Sequence, residues 1–215
     1  MIKRLIFDID GTLSTCTNFD NAIKETLIEN NIYSEDNLKN HNPELARYEQ
    51  IYGKYDEELY LKHFSKVFNK ELDKNYLESL FENLNKYSVP KYDNEEVQII
   101  EKLSKKYELV LLSNFFERLQ RSKLESIGIN KYFKEYYGER VCKPNSKAYI
   151  EAIGNNKPEE CIMIGDNINI DILAAQKCGI NTIWVNNKNI KQDEVETETV
   201  NSVKEINEEF INKLF

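Results

Sequence analysis

The chain has 215 residues, enough for one sizeable domain or for one domain that carries a smaller insertion. Its 37 acidic and 29 basic residues give a formal net charge of -8, which disfavours a broad nucleic-acid-binding surface because phosphate-backbone contacts need positive charge. A nucleic-acid partner is therefore not expected. No apolar run approaches the ~20 residues needed to span a membrane, so a membrane partner is not expected either.

The cysteines and the N-terminal stretch predict the compartment. Cysteines at 16, 142, 161 and 178 form no CxxC pair, and a chain of this size does not depend on disulfide bonds, so we expect reduced thiols. The apolar stretch after Lys3 and Arg4 is interrupted by Asp8 and Asp10, unlike a secretory signal peptide. The sequence therefore predicts a soluble cytoplasmic protein, as a monomer or a homodimer.

Four short apolar runs predict buried strands. The first covers residues 5–7, and the others lie within 107–114, 161–167 and 181–187. Each run places β-forming residues before a small or polar end, and helical patterns lie between the runs. Strands that alternate with helices predict an α/β fold with a parallel sheet.

The interval from residue 14 to residue 92 follows a different pattern. It contains amphipathic helical stretches and no convincing strand, as in NAIKETLIENN, ELARYEQIYG, DEELYLKHFSKVF and NYLESLFENLNKY. We therefore predict a helical domain, 14–92, inserted into an α/β core made of 1–13 and 93–215. The stretch 88–96 is predicted to be the linker that returns to the core, and the polar stretch 186–199 a surface loop.

Polar residues follow the predicted strands. In chain order these residues are Asp8, Asp10, Ser113, Asn114, Asp166 and Asp171. In open α/β sheets ligands bind beyond the carboxyl ends of the strands, so we expect these side chains to form a site. Lys143, which precedes Pro144 at the entrance to a predicted helix, is a further candidate.

The types of these residues predict their chemistry. Several carboxylates at one sheet edge repel one another, and oxygen ligands of this kind suit a hard cation such as Mg²⁺. The hydroxyl of Ser113, the amide of Asn114 and the ammonium of Lys143 are donors that suit an anion with several oxygens. The pattern favours a metal-assisted site for a phosphoryl group.

Together these motifs resemble the haloacid dehalogenase-like hydrolase superfamily. Its first motif, DxDGT, corresponds to residues 8–12, and its second to Ser113 in LLSN. Its third corresponds to Lys143 in KPNSKAY, and its fourth, GDxxxxD, to residues 165–171. The resemblance covers nearly the whole chain and implies a Rossmann-like core, with the helical insertion as a cap of the type-one branch.

The resemblance also implies a reaction. Asp8 would be the nucleophile that forms an aspartyl-phosphate, and Asp10 would be the acid that protonates the leaving group and then the base that activates water. The residues implied to contact the phosphoryl group are Gly11, Thr12, Ser113, Asn114 and Lys143. Mg²⁺ would be bound by the Asp8 and Asp166 carboxylates and the Asp10 backbone carbonyl. Asp171 would either bind the metal through water or orient Lys143.

The implied function is a Mg²⁺-dependent phosphatase that hydrolyses small phosphorylated metabolites. Asp10 favours phosphate esters over carbon–halogen bonds, because an alkoxide leaving group needs an acid. A sugar phosphomutase shares all four motifs and is the first alternative. A non-catalytic sensor of a phosphorylated metabolite is the second, although a pure binding protein needs neither a nucleophile nor an acid.

Overall fold

The computed structural model of the chain describes residues 1–89, 94–191 and 195–215. Its strands are β1 (Arg4–Phe7), β2 (Thr15–Cys16), β3 (Ser88–Val89), β4 (Glu108–Leu112), β5 (Tyr136–Tyr137), β6 (Cys161–Gly165), β7 (Asn181–Val185) and β8 (Glu198–Val200). Its α-helices are α1 (Phe19–Glu29), α2 (Glu35–Tyr52), α3 (Glu57–Val67), α4 (Lys74–Tyr87), α5 (Asn94–Ser104), α6 (Glu117–Ser126), α7 (Ser146–Ile153), α8 (Ala174–Gln176) and α9 (Glu208–Leu214). Within those described ranges, no helix is both long enough and apolar enough to cross a bilayer.

In the described part of the chain, six strands form one sheet in the order β5-β4-β1-β6-β7-β8. All neighbouring pairs are parallel, and β1 lies between β4 and β6, with Phe7 opposite Leu111 and Ile164. The predicted Rossmann-like α/β fold is confirmed. The edge strands β5 and β8 were not predicted, and β8 begins inside the stretch 186–199 that the sequence assigned to a loop.

Apolar side chains cover both faces of the sheet. Leu5 and Phe7 belong to a cluster that includes residues of α5 and α9, whereas Ile6 belongs to the cluster of α7 and α8. Alternate residues of β1 thus enter opposite cores, which explains why a central parallel strand is apolar throughout. Burial on both faces fixes the position of β1, and therefore also the position of the residues that follow it.

Helices α1 to α4 form a helical insertion between β2 and β3. The two short strands pair antiparallel, and the Thr17 N–H donates to the Tyr87 carbonyl at 3.1 Å, so the chain enters and leaves the insertion side by side. The insertion has its own apolar cluster. Its predicted limits at residues 14 and 92 stay predictions, and residues 90–93 of the predicted linker lie outside the described residues.

Helix α2 begins at Glu35, nine residues before the stretch in which the sequence pattern placed it. The Ser34 hydroxyl accepts a hydrogen bond from the Asn37 N–H at 3.0 Å, which satisfies a free donor of the first turn. Pro43 lies inside the helix and obscured it in the sequence, since proline usually breaks helices.

The insertion packs against the core through aromatic side chains. Phe116, just before α6, has its ring 5.3 Å from Tyr55, 5.4 Å from Tyr60 and 5.3 Å from Phe81. The Cys142 N–H also donates to the Gly53 carbonyl at 2.8 Å. Phe116 and Cys142 belong to the insertion's apolar cluster, so this cluster extends into the core.

Replacing Phe116 tests this contact. Phe116→Ala should lower the free energy of unfolding by about 3–5 kcal/mol, because it removes a buried ring from three aromatic neighbours. Phe133→Ala, at an equally buried site in the core, should cost a similar amount. In limited proteolysis of the native protein only Phe116→Ala should expose the insertion, and equal protection of the insertion in both variants would contradict the assigned contact.

Candidate active site

The candidate site lies where three adjacent strands end. Because β4, β1 and β6 are parallel neighbours, their carboxyl ends meet at one edge of the sheet. Asp8 follows β1, Ser113 follows β4 and Asp166 follows β6. The order of the strands therefore brings together residues that are far apart in the chain.

A buried lysine joins two of the predicted carboxylates. Lys143 Nζ lies 2.7 Å from Asp8 Oδ1 and 2.6 Å from Asp171 Oδ1. The exposed fractions of these side chains are 2% for Lys143, 8% for Asp8 and 1% for Asp171. One ammonium therefore faces two carboxylates, and the buried group has an excess of negative charge.

Burial and this excess of charge shift the pKa values. Burial raises the pKa of Asp8 to about 7, against the opposing charge of Lys143 and with the support of the Asp171 charge. Burial lowers the pKa of Lys143, but the charges of Asp171 and Asp8 outweigh it, so this pKa is raised and the ammonium stays protonated. Burial and the Asp8 charge also raise the pKa of Asp166. A further positive charge would stabilise all these carboxylates.

The carboxylates could hold a metal ion. Asp8, Asp166 and Asp171 each place one oxygen within 4.8 Å of the others, and an oxygen-only set suits a hard cation. Asp171 is the least available, because Oδ1 accepts from Lys143 and Oδ2 accepts from the Asn167 N–H at 2.9 Å. Asp8 and Asp166 are therefore the better placed ligands.

Two glycines allow these carboxylates to lie close to the backbone. Gly11 has a φ of 93°, and a Cβ there would lie 2.4 Å from Asp166 Oδ2. A Cβ on Gly165 would lie 2.4 Å from the Asp171 Cβ. Gly11, which the sequence predicted as a phosphate contact, is thus also required by the position of Asp166.

The Asp10 carboxylate contacts side chains of helix α6, whereas Asp8 and Asp171 contact Lys143. Its Oδ1 accepts from Lys123 Nζ at 2.7 Å, and its Oδ2 accepts from Gln120 Nε2 at 2.6 Å. Partial burial raises the pKa of Asp10, but the Lys123 charge and the hydrogen bonds from Gln120 and Lys123 outweigh it and lower this pKa. The side chain is 46% exposed, so a ligand can reach it. The predicted metal contact of Asp10 concerns only its backbone carbonyl.

Two of the predicted phosphate contacts offer hydroxyl groups. Thr12 Oγ1 is buried without a hydrogen-bond partner anywhere in 1–89, 94–191 and 195–215. Ser113 Oγ accepts from Gln120 Nε2 at 3.2 Å, which leaves its own proton available. Both hydroxyls can therefore donate to an anion.

Asn114 is engaged differently. Its Oδ1 accepts from the Lys143 N–H at 2.8 Å, and its Nδ2 donates to the Lys143 carbonyl at 3.0 Å and to Glu49 Oε1 at 3.1 Å. The amide thereby holds the backbone of Lys143 and contacts the helical insertion. Its predicted contact with a phosphoryl group would require some of these hydrogen bonds to be exchanged.

The sequence interpretation missed four polar residues near the site. Gln120 and Lys123 contact Asp10, Glu49 contacts Asn114, and Lys188 Nζ lies 3.3 Å from Asp166 Oδ2. A signal existed for the first two, since they share the buried face of the amphipathic helix α6 with leucines. Glu49 and Lys188 gave no such signal, because their contacts are to distant segments.

The family model described as haloacid dehalogenase-like hydrolase matches residues 5–185. This chain belongs to the haloacid dehalogenase-like hydrolase family. The matched range contains all four motifs, and the resemblance predicted from them is confirmed. The buried group of Asp8, Lys143 and Asp171 lies within the part of this hydrolase that the family model matches.

Three similar proteins illustrate the relationship. The glyceraldehyde 3-phosphate phosphatase of Methanothermobacter thermautotrophicus is 28% identical over 201 residues, which cover 87% of each chain. The crystal structure of a 2-haloacid dehalogenase from Pseudomonas syringae matches with a TM-score of 0.74 at 18% identity and covers both chains fully. The HAD-hydrolase YfnB of Bacillus subtilis, bound to magnesium, matches with a TM-score of 0.67 at 20% identity over 95% of this chain and 96% of that one. The two structures support the fold of this hydrolase.

Proposed function

We propose that this hydrolase is a Mg²⁺-dependent phosphatase of small phosphorylated metabolites that works through an aspartyl-phosphate. The observation that carries the proposal is the buried contact of Lys143 with Asp8, at 2.7 Å, beside a second carboxylate, Asp10, that a ligand can reach. The similarity to a phosphatase of a small sugar phosphate supports the proposed substrate class.

In the first step, an Asp8 oxygen attacks phosphorus and forms a new P–O bond. Asp10 has a low pKa in the free site, and the negative charge of the bound phosphoryl group raises this pKa so that Asp10 takes up a proton from water. The P–O bond to the leaving alkoxide then breaks, and Asp10 gives that proton to the alkoxide. Lys143 neutralises charge on Asp8 and on the transferred group, while the hydroxyls of Thr12 and Ser113 donate to phosphoryl oxygens. Asp171, whose oxygens are both engaged, orients Lys143.

In the second step, a water molecule attacks the phosphorus of the aspartyl-phosphate. Asp10, now ionised, accepts a proton from the attacking water, and the bond between phosphorus and Asp8 breaks to release phosphate. The same carboxyl group therefore serves both half-reactions, because it is protonated at the end of the second as it was at the start of the first.

Mg²⁺ fits the oxygen donors of Asp8 and Asp166, and the binding of magnesium by YfnB supports this choice of metal. When bound, the ion supplies positive charge that offsets the repulsion between the carboxylates and the phosphoryl oxygens. Lys188, exposed and 3.3 Å from Asp166, is free to move away from an ion there.

A dehalogenase and a phosphomutase are the competing functions. The match to a 2-haloacid dehalogenase, at 18% identity, concerns the fold alone. Asp10 favours the phosphatase, because a halide leaving group needs no acid. A phosphomutase or a non-catalytic sensor would use the same phosphate contacts, so the experiment below separates them by product.

Assaying a panel of small phosphomonoesters for phosphate release in Mg²⁺, with an Asp8→Asn background, tests the proposed function. At least one member should release phosphate with the wild-type protein only. Isomerised sugar phosphate without phosphate release would identify a mutase, and tight binding without turnover would identify a sensor. Either result would overturn the phosphatase.

Replacing Asp10 tests its role as the acid. Asp10→Asn should slow the hydrolysis of alkyl phosphates by about 10²–10⁴-fold. It should slow the formation of the covalent intermediate from p-nitrophenyl phosphate much less, because nitrophenolate leaves without a proton. Single-turnover rates of p-nitrophenol release and of alcohol release measure this difference. Equal losses on both substrates would contradict the assignment.

We further propose that the protein acts in the cytoplasm, as a monomer or a homodimer. Cys142, Cys161 and Cys178 are free thiols in the structure, as expected in a reducing compartment. The net charge of -8 favours a small-molecule substrate over a nucleic-acid partner.

A further inference from the structure

Helix α6 places two polar side chains against Asp10. Gln120 is fully buried and Lys123 is only 7% exposed, although the same face of the helix carries Leu119 and Leu124. Burying a lysine costs hydration free energy of its ammonium, which a leucine at the same position would not lose. The packing of α6 alone therefore does not account for a lysine at position 123.

The two contacts restrain different atoms of one carboxylate. Lys123 Nζ holds Oδ1 at 2.7 Å, and Gln120 Nε2 holds Oδ2 at 2.6 Å. Because each oxygen has its own donor, the carboxyl group cannot rotate about its final bond without losing both hydrogen bonds. Asp10 is thus held in one orientation, although its side chain is 46% exposed and could otherwise move.

Gln120 also connects Asp10 with the end of β4. Its Nε2 lies 3.2 Å from Ser113 Oγ and 3.0 Å from the Asn114 carbonyl oxygen. One buried amide therefore sets the distance between Asp10 and Ser113. It also has other acceptors to which it can donate when Oδ2 is engaged by a substrate oxygen or a proton.

We propose that Lys123 and Gln120 are positioning residues that hold Asp10 by Oδ1 and present Oδ2 to the reacting oxygen. The proposal rests on the proposed function, since it assigns a task to the acid of that reaction. Neither residue is assigned a contact with the substrate. Lys123 acts by holding one oxygen of Asp10, and Gln120 by keeping the other in register with Ser113.

The test compares leaving groups in the full-length enzyme with Mg²⁺. Lys123→Met keeps the length of the side chain and removes its charge and its hydrogen bond. In single-turnover experiments its rate of alcohol release from glycerol phosphate should fall about 10- to 100-fold, because the alkoxide needs the acid. Its single-turnover rate of p-nitrophenol release from p-nitrophenyl phosphate should fall less than about threefold, because nitrophenolate leaves without a proton. Lys123→Arg, which keeps the charge, should recover part of the lost rate.

Two further variants make the result decisive. Gln120→Leu should show the same leaving-group dependence in smaller degree, and it carries the test if Lys123→Met does not fold. Arg121→Met removes a cation from the same helix that pairs with Glu117 instead of Asp10, and it should show no such dependence. An equal loss on both substrates in Lys123→Met and Gln120→Leu would reduce both residues to a structural role and overturn the proposal.

The Asp10→Asn background separates this proposal from the proposed function. There Lys123→Met should cause no additional loss on glycerol phosphate, because the group it positions is already inactive. If Asp10→Asn shows leaving-group dependence and Lys123→Met does not, only the positioning proposal fails. If Asp10→Asn itself shows none, the acid assignment fails and the positioning proposal fails with it.

Discussion

Asp8→Asn should reduce phosphate release by about 10³-fold or more, since loss of a catalytic nucleophile ordinarily costs at least this much. The amide is nearly the same size as the carboxylate but is a poor nucleophile. It would still accept a hydrogen bond from Lys143, so the fold should be kept. Steady-state assays of phosphate release, with circular dichroism to verify folding, measure the effect.

The control for this prediction is Asp36→Asn, at an exposed position in the first turn of α2. It should leave the rate within about twofold, because exposed substitutions away from a site have small effects. A folded Asp8→Asn protein that keeps more than about a thousandth of the wild-type rate would exclude a covalent route through Asp8.

Removal of Mg²⁺ should have the second large effect. Excess EDTA should abolish turnover, because Asp8 and Asp166 would then repel the phosphoryl group as well as each other. Activity should return when Mg²⁺ is added back. Full activity in EDTA, after exhaustive removal of metal, would contradict the metal assignment.

The pH dependence of this requirement follows from the pKa of Asp8. Burial raises this pKa to about 7, so below pH 7 a proton competes with Mg²⁺ for the carboxylate. Above pH 7 the carboxylate is ionised and the competition disappears. The Mg²⁺ concentration that gives half-maximal activity should therefore be about tenfold higher at about pH 6 than at about pH 8. A concentration that does not change with pH would contradict the assigned cause.

The parts of the fold that depend on local patterns were predictable from the sequence. The runs that precede Asp8, Ser113 and Asp166 are buried on both faces, and this makes them apolar throughout and visible as strands. Parallel strands then bring their carboxyl ends together, so these three residues were expected to meet. The short edge strands β5 and β8 lack such runs, because part of each stays exposed.

The side-chain partners within the site were less predictable. The resemblance left open whether Asp171 binds a metal through water or orients Lys143, and the structure places the Lys143 ammonium in contact with both Asp8 and Asp171. Gln120 and Lys123 contact Asp10 across more than a hundred residues of sequence, and that pairing depends on how α6 packs against the sheet. Such contacts are set by tertiary packing, which local periodicity does not encode.

The covalent role of Asp8 is the central claim, and trapping the intermediate tests it most directly. The Asp10→Asn variant, which lacks the base for the second step, should accumulate phosphorylated protein when it is mixed with p-nitrophenyl phosphate and Mg²⁺ and then quenched in acid. Mass spectrometry of the digested protein should find one added phosphoryl group on the peptide that contains Asp8. Release of p-nitrophenol with no phosphorylated peptide at any time before completion would contradict the claim.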